Sequence, residues 1–345
     1  EGHAPPAAQY LVAQAHADLS AERVVTDTAT ITWDHATDGQ SKASVVNASA
    51  IARGAVELAT DAEARAGSDT ERAITPASLA AALLVFKSVL RNYIDGFTIA
   101  NGTDATNDID FSAGACLDSD NDTFIVGAAM AGKRLDEDWA AGAAAGMRYS
   151  GAAIANGTYH LWVVTKADGT QDYYADPSAV PATVLAHLQA ETGGADYVAA
   201  RLIASILRES GAIVGIVQHG DTFLRKSPVG SVANTSSHAS SRQTATLHVP
   251  TGLVVESIVA VAANDNSTGA AGTLLTALTQ TDVAPSSSAS PGLTVSGNGT
   301  NDYIWVDDVQ VPTDTAAGIG YRASHANVDT IIVTKGWIHR RGRNG

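Results

Sequence analysis

Few side chains in this sequence are grouped in a way that could do chemistry. Asp118, Asp120 and Asp122 alternate in Asp-Ser-Asp-Asn-Asp, the spacing at which the first half of a calcium loop presents its oxygens. The match stops there, because Thr123 stands where such a loop needs Gly and Ala129 where it needs Glu. On an extended segment the three carboxylates would share one side, so a loose calcium or magnesium site stands against a solvated acidic turn. Asp136, Glu137 and Asp138 sit beside Trp139, and Asp307 and Asp308 beside Trp305. Paired carboxylates near an aromatic are what a glycoside hydrolase or lyase would require. Strand neighbours point to opposite faces, so Asp307 and Asp308 are not expected to form one dyad. Cys116 has no His nearby in sequence, the ten His residues show no metal-ligand spacing, and no Gly-x-x-x-x-Gly-Lys-Ser/Thr loop occurs. The expectation is a non-enzyme that uses no cofactor.

Composition narrows the class further. A chain of 345 residues has room for two or three domains, each with a core. Charged residues make up 17% and aromatics 6%, with 31 Gly, so the surface must be built largely from small hydroxyl and amide groups on a β- and loop-rich chain. A net charge of −15 argues against nucleic acid and anionic lipid as partners, and the only basic cluster is His339-Arg340-Arg341-Gly342-Arg343. No apolar run reaches membrane-spanning length, so no membrane insertion is expected, and the first residues lack the pattern of a signal peptide. With Cys116 alone, stability has to come from packing and from association between chains. Seven Asn-x-Ser/Thr triplets are read as chance in a chain this rich in Asn, Ser and Thr.

The elements are organised around residues 57–93. Thr60-Asp61 opens a short helical run ended by Gly67, and Thr75-Pro76 opens a longer one, Thr75 as N-cap and Pro76 at the first helical position. From there Leu79, Ala82, Leu83, Phe86, Val89, Leu90 and Tyr93 recur at three- and four-residue steps, an apolar stripe with nothing local to cover it. Before it, strand-like runs lie at residues 9–12 and 19–33, and an Ala/Ser-rich bridge at residues 43–54. After it, strand signals alternate with Asn-Gly and Asp-Gly turns, interrupted by one helix at Pro181–Ala190. Tyr197 to Leu207 is read as strand from its alternation, and residues 227–243 as a linker. The fold class expected is mainly β: N-terminal attachment strands, a short helical trimerisation linker, and two antiparallel β-sandwich-like domains with one or two minor helices.

Three stretches resemble parts of bacteriophage or gene transfer agent fibres and spikes. GSDTERAITPASLAAAL, within Leu58 to Leu83, resembles the fibre linker repeat; AQYLVAQAHADLSAERVVTDTATITWD resembles an N-terminal virion-attachment module, with Val25 where Leu is usual. NGTDATNDIDFSAGACLDSDND, KRLDEDWAAG and NGTYHLWVV resemble a β-rich fibre domain spanning nearly all of Ile94 to Leu224. The resemblance implies four segments: 1–56 for virion attachment, 57–93 as helical neck, 94–226 as shaft or shoulder, and 227–345 facing the host. It implies a homotrimer with Leu79, Leu83, Phe86 and Leu90 on the threefold axis, located in a virion on tail or head. Tail or capsid proteins would be the partners at the N-terminus and host surface polysaccharide or another receptor at the C-terminus. The C-terminal loops are the expected receptor contacts through Asn266, Ser287, Asn298, Asn301, Tyr303 and Trp305, although Trp305 and Trp337 could equally be core. A polysaccharide depolymerase tailspike and a purely architectural connector or head fibre are the alternatives; the stacked repeats of a parallel β-helix are missing from the sequence.

Overall fold

The computed structural model describes residues 10–12, 22–37, 40–48, 55–234, 238, 241–265, 270–285, 294–298 and 303–343. Two compact units divide between Val89 and Leu90. The chain is mainly β, with most strand pairs antiparallel.

In the first unit, Tyr10–Val12 pairs with Glu22–Val24 in parallel, so this module is not a hairpin. Ile31–Asp34 pairs with Lys42–Val45 in antiparallel fashion, which makes strand of the start of the expected Ala/Ser-rich bridge. The helices Asp61–Ala66 and Pro76–Val89 follow, and both begin as their caps require. The Thr60 hydroxyl accepts from the Glu63 amide while the Glu63 carboxylate accepts from the Thr60 amide, and Gly67 ends the run with φ 63°. Thr75 and Ser78 form the same reciprocal pair at the second helix, at 3.1 and 2.9 Å.

The second unit opens with an eight-stranded sheet. Its spatial order runs Ala212–Ile213, Tyr197–Glu209, Gly157–Lys166, Gln171–Asp176, Gly146–Arg148, Met130–Asp138, Asp108–Phe111, Ile99–Asn101. Gly146–Arg148 lies parallel to both its neighbours, an exception in an otherwise antiparallel sheet. The helix Pro181–Ala190 lays Val184 and Leu188 on one face, against Trp139, Trp162, Tyr174 and Tyr197. On the other face Leu161, Val163, Tyr173 and Ile203 meet Phe97 and Ile109. Tyr197–Glu209 is thus buried on both faces, as its predicted strand character allows.

The remaining strands form a three-stranded sheet of Ile94–Gly96, Gly114–Leu117 and Phe124–Gly127, a five-stranded sheet centred on Val328–Ile338, and a four-stranded sheet, whose buried residues share one core. That core also contains Ile203 and Phe223, so Leu90–Gly345 is one unit and not two domains. The boundary expected after residue 226 falls inside the strand Thr222–Asn234. This strand pairs first with Ile216–His219 and then continues along Val328–Ile338. Pro228, within the Ser/Asn/Gly-rich stretch that reads as linker, sits where the ladder shifts register between Leu224 and Val229 and no amide is needed. Gly318–Ala323, a central strand of the four-stranded sheet, was not expected from the sequence although Ile319, Tyr321 and Ala323 alternate.

Candidate functional site

Motif residues singled out by resemblance turn out to hold backbone. In the linker, Asp69 accepts from the amides of Glu71 and Arg72, and the Arg72 guanidinium joins Asp69, Glu63 at 3.2 Å and Glu57 at 3.3 Å. Hydrogen bonds to the Thr60 backbone and side chain hold the Glu63 carboxyl below its ordinary range, and the Glu71 amide does the same for Asp69. In the second unit, Lys133 is buried, pairs with Asp172 at 2.9 Å, and donates to the carbonyls of Ala140 and Gly142 at 2.9 and 3.2 Å. The Gly142 amide donates back to Asp172 at 2.7 Å, so in KRLDEDWAAG the turn that follows the strand Met130–Asp138 is clasped by the strand's own lysine. Asn101 serves similarly, accepting from the Ile216 amide at 3.2 Å.

The carboxylates read as candidate chemistry are engaged elsewhere. Asp118 turns inward and accepts from the amides of Asp122 and Thr123 at 2.9 and 3.1 Å, and burial raises its pKa. The expected common side for Asp118, Asp120 and Asp122 is therefore lost, because the segment is a turn and not an extended strand. Among the described residues no group of three or more His, Cys, Asp or Glu could hold a metal ion. Glu137 pairs with Arg134 and Asp138 with Arg148, while Trp139 is buried. Cys116 is buried and its thiol is pushed up to about 12, which leaves it protonated and unreactive at neutral pH.

Asp307 and Asp308 overturn the expectation made for them. Val306 faces Val261 and Val309 faces Val259, so both aspartates oppose the single residue Ala260. This bulge, with Asp308 at φ 56°, brings both carboxylates to Lys335, at 3.1 and 2.7 Å from its Nζ. The strand that carries them, Ile304–Pro312, is the edge of the five-stranded sheet. Here Trp305 is 50% exposed, Ile304 43% and Tyr303 39%, whereas Trp337 is wholly buried against Phe223. The two tryptophans thus separate into one surface and one core residue. The Tyr303 hydroxyl donates to Asp329 at 3.0 Å, which fixes its ring beside the edge. An exposed indole next to a phenol and two carboxylates that share one lysine offers an apolar face with hydrogen-bonding groups around it, a surface suited to sugar rings. Asn266, Ser287 and Asn301 lie outside the described residues, as does the side chain of Asn298, which belongs to the strand Thr294–Asn298.

On the helix Pro76–Val89, Leu79 is 48% exposed, Leu83 47% and Leu84 58%. Ala77, Ala80, Ala81, Leu83 and Leu84 line a hollow of about 390 Å³. The side chain of Phe86 lies outside the described ones, and Leu90, 37% exposed, follows the helix end and belongs to the second unit.

A buried polar line in the second unit has no counterpart among the motifs read from the sequence. His160 Nδ1 lies 2.8 Å from Ser205 Oγ, and His339 Nε2 3.1 Å from the same oxygen. The Arg341 amide donates to His339 Nδ1 at 3.0 Å, which places the ring proton on Nε2, toward Ser205. Burial lowers His160 to about 4 and His339 to about 3, where His160 and Arg341 add their repulsion. Arg341 donates to the carbonyls of Ile203, Gly96 and Phe97 at 2.7–2.8 Å. The basic tail, expected to carry nothing, pins the last strand to the first sheet. These residues lie at positions 160, 205 and 339, too far apart for any spacing signal.

No family model matches the chain, and no curated protein matches it. Among solved structures, one of infectious bursal disease virus, Gx strain, aligns at 9% identity over 71% of this chain and 64% of that one, with a TM-score of 0.13. The chain thus spans under two thirds of that protein's length, and the likeness is too slight to bear on fold or function.

Proposed function

We propose that the chain is a fibre or spike subunit of a phage or phage-like particle, associating as a homotrimer through the helix Pro76–Val89 and contacting host surface polysaccharide through Tyr303 and Trp305. The observation that carries this reading is the helix face with Leu79, Leu83 and Leu84 about half exposed. Leucines on a capped helix are stabilised only when covered, and copies of the same helix cover them without any further partner. Leu79, Leu83, Phe86 and Leu90 follow a four-three-four spacing, the seam of a coiled coil. The linker motif and the two other fibre-like stretches support the same reading, with attachment to a tail or capsid protein assigned to the N-terminal strands. Trimerisation would multiply weak sugar contacts at the Trp305 edge by avidity.

Light scattering on the intact chain and on Leu79→Asp plus Leu83→Asp tests the reading. The expected result is three times the chain mass for the first and a single chain mass for the second. A monomeric intact chain would overturn the proposal. For the receptor contact, Trp305→Ala is expected to lose adsorption to host envelope polysaccharide while keeping the trimer mass.

A further inference from the structure

A cleft of about 550 Å³ opens between the strand end at Leu207–Glu209, the turn at Asn156–Thr158 and residues 246–251. That volume falls within the range of small-molecule sites, roughly 300–1,000 Å³. Leu207, Leu247 and Val249 form apolar wall, and hydroxyls, an amide and charged groups are set among them. Thr158 and Thr251 hold their hydroxyls 2.9 Å apart, and the Thr251 amide donates to the Thr158 oxygen at 2.9 Å. Glu209 is fully engaged: Arg225 Nη2 donates to one oxygen at 2.7 Å, and Arg225 Nη1 and His248 Nδ1 reach the other at 3.2 and 3.0 Å. Burial works to raise this carboxyl, but the bonds from Arg225 and His248 outweigh it and hold Glu209 below its ordinary value.

Arg208 differs from every other group in the cleft. Its Nη1 makes a long contact of 3.4 Å with Asn156 Oδ1, and its Nε is buried without an acceptor. No carboxylate among the described residues pairs with it. Yet the chain has 36 acidic residues to 21 basic ones, so partners are plentiful and this guanidinium takes none. A planar donor fork that pairs with no carboxylate of its own, in a cleft that also offers hydroxyls, is matched by a carboxylate, which it binds in two parallel hydrogen bonds.

We propose that this cleft binds an acidic saccharide, with its carboxylate on Arg208 and its hydroxyls on Thr158, Thr251 and Asn156. The cleft is larger than an inorganic anion requires, and its threonine pair and amide suit ring hydroxyls. It shares no residue with the Trp305 edge or with the helix Pro76–Val89, so the failure of either would leave it standing.

Calorimetric titration of the full chain with three probes tests the proposal: a tetrasaccharide containing glucuronic acid, maltotetraose and inorganic phosphate. The acidic tetrasaccharide is expected to bind at least tenfold more tightly than maltotetraose and than phosphate. Arg208→Gln should remove that preference, and Thr251→Val should weaken the acidic tetrasaccharide severalfold, both with unchanged thermal midpoints. Equal affinity for the acidic and neutral sugars would overturn the proposal. So would phosphate binding as tightly as the acidic sugar, or an Arg208→Gln variant that keeps the preference.

Discussion

The linker and the second unit use polar residues alike and apolar residues in opposite ways. In both, polar side chains grip backbone: Asp69 and Thr60 in one, Lys133, Asp172 and Asn101 in the other. In the second unit that frame encloses Trp162, Trp337, Tyr173 and Ile203, which are wholly buried. In the linker, among the described residues, it encloses little beyond Ser78 and Ala81, and Leu79, Leu83 and Leu84 stay at the surface. A hydrogen-bonded frame sets a shape at small net gain, whereas burial supplies the driving force. The second unit therefore stands on its own core, and the linker's shape is set without one of comparable size.

The largest effect that would sharpen this contrast is expected from Trp337→Ala, which should cost the second unit about 3–5 kcal/mol in denaturant unfolding. A loss under about 1 kcal/mol would mean that the core is not where its stability lies. Lys133→Met should come next, at about 3 kcal/mol, because it leaves Asp172 charged and buried. Acid should act on the same unit through His160 and His339. Both have folded-state values below the ordinary 6.5, so unfolding takes up protons below that pH. The stability they contribute is complete above pH 6.5 and is lost as pH falls toward 4 and then 3, at up to about 1.4 kcal/mol per pH unit for each ring. His160→Gln should flatten that slope when stability is measured across pH 6.5 to 4. In the linker, Thr60→Ala should cost about 1 kcal/mol of helix stability, read as lost helical signal. The smallest effect belongs to Leu79→Asp plus Leu83→Asp, which should move the unfolding of the second unit by no more than about 0.5 kcal/mol.

What could be read from sequence was what is local. Thr60, Gly67 and Thr75-Pro76 mark helix ends because a cap involves residues three apart, whereas Pro181–Ala190 starts on a proline with no side-chain cap. The alternation in Tyr197–Glu209 identified a strand, but could not say that both of its faces are covered. Asp307 and Asp308 were misread because a bulge leaves no trace in residue types beyond a tolerated aspartate at positive φ. The Ser, Asn and Gly residues around Pro228 suggested a linker because composition reports propensity, and the ladder with Val328–Ile338 overrides it. At the candidate sites, the exposure of Trp305 and the burial of Trp337 depend on edge and centre positions in one sheet, which spacing does not encode. The Arg208 cleft joins residues up to 95 positions apart, Asn156 to Thr251, and was invisible for that reason.

The strand Val328–Ile338 lies at the centre of its sheet, between Thr222–Asn234 and Glu256–Asp265, and the residues just after it reach back to Gly96 and Phe97. During synthesis, then, the second unit must wait. Neither neighbour of that strand can complete its ladder, and Ile203 and Phe223 cannot be sealed in, until nearly the whole unit has been translated. Pairings across so much sequence make for slow closure, with unpaired edges exposed in the meantime. Truncation a few residues short of the end is therefore expected to yield aggregate in place of a slightly weakened fold.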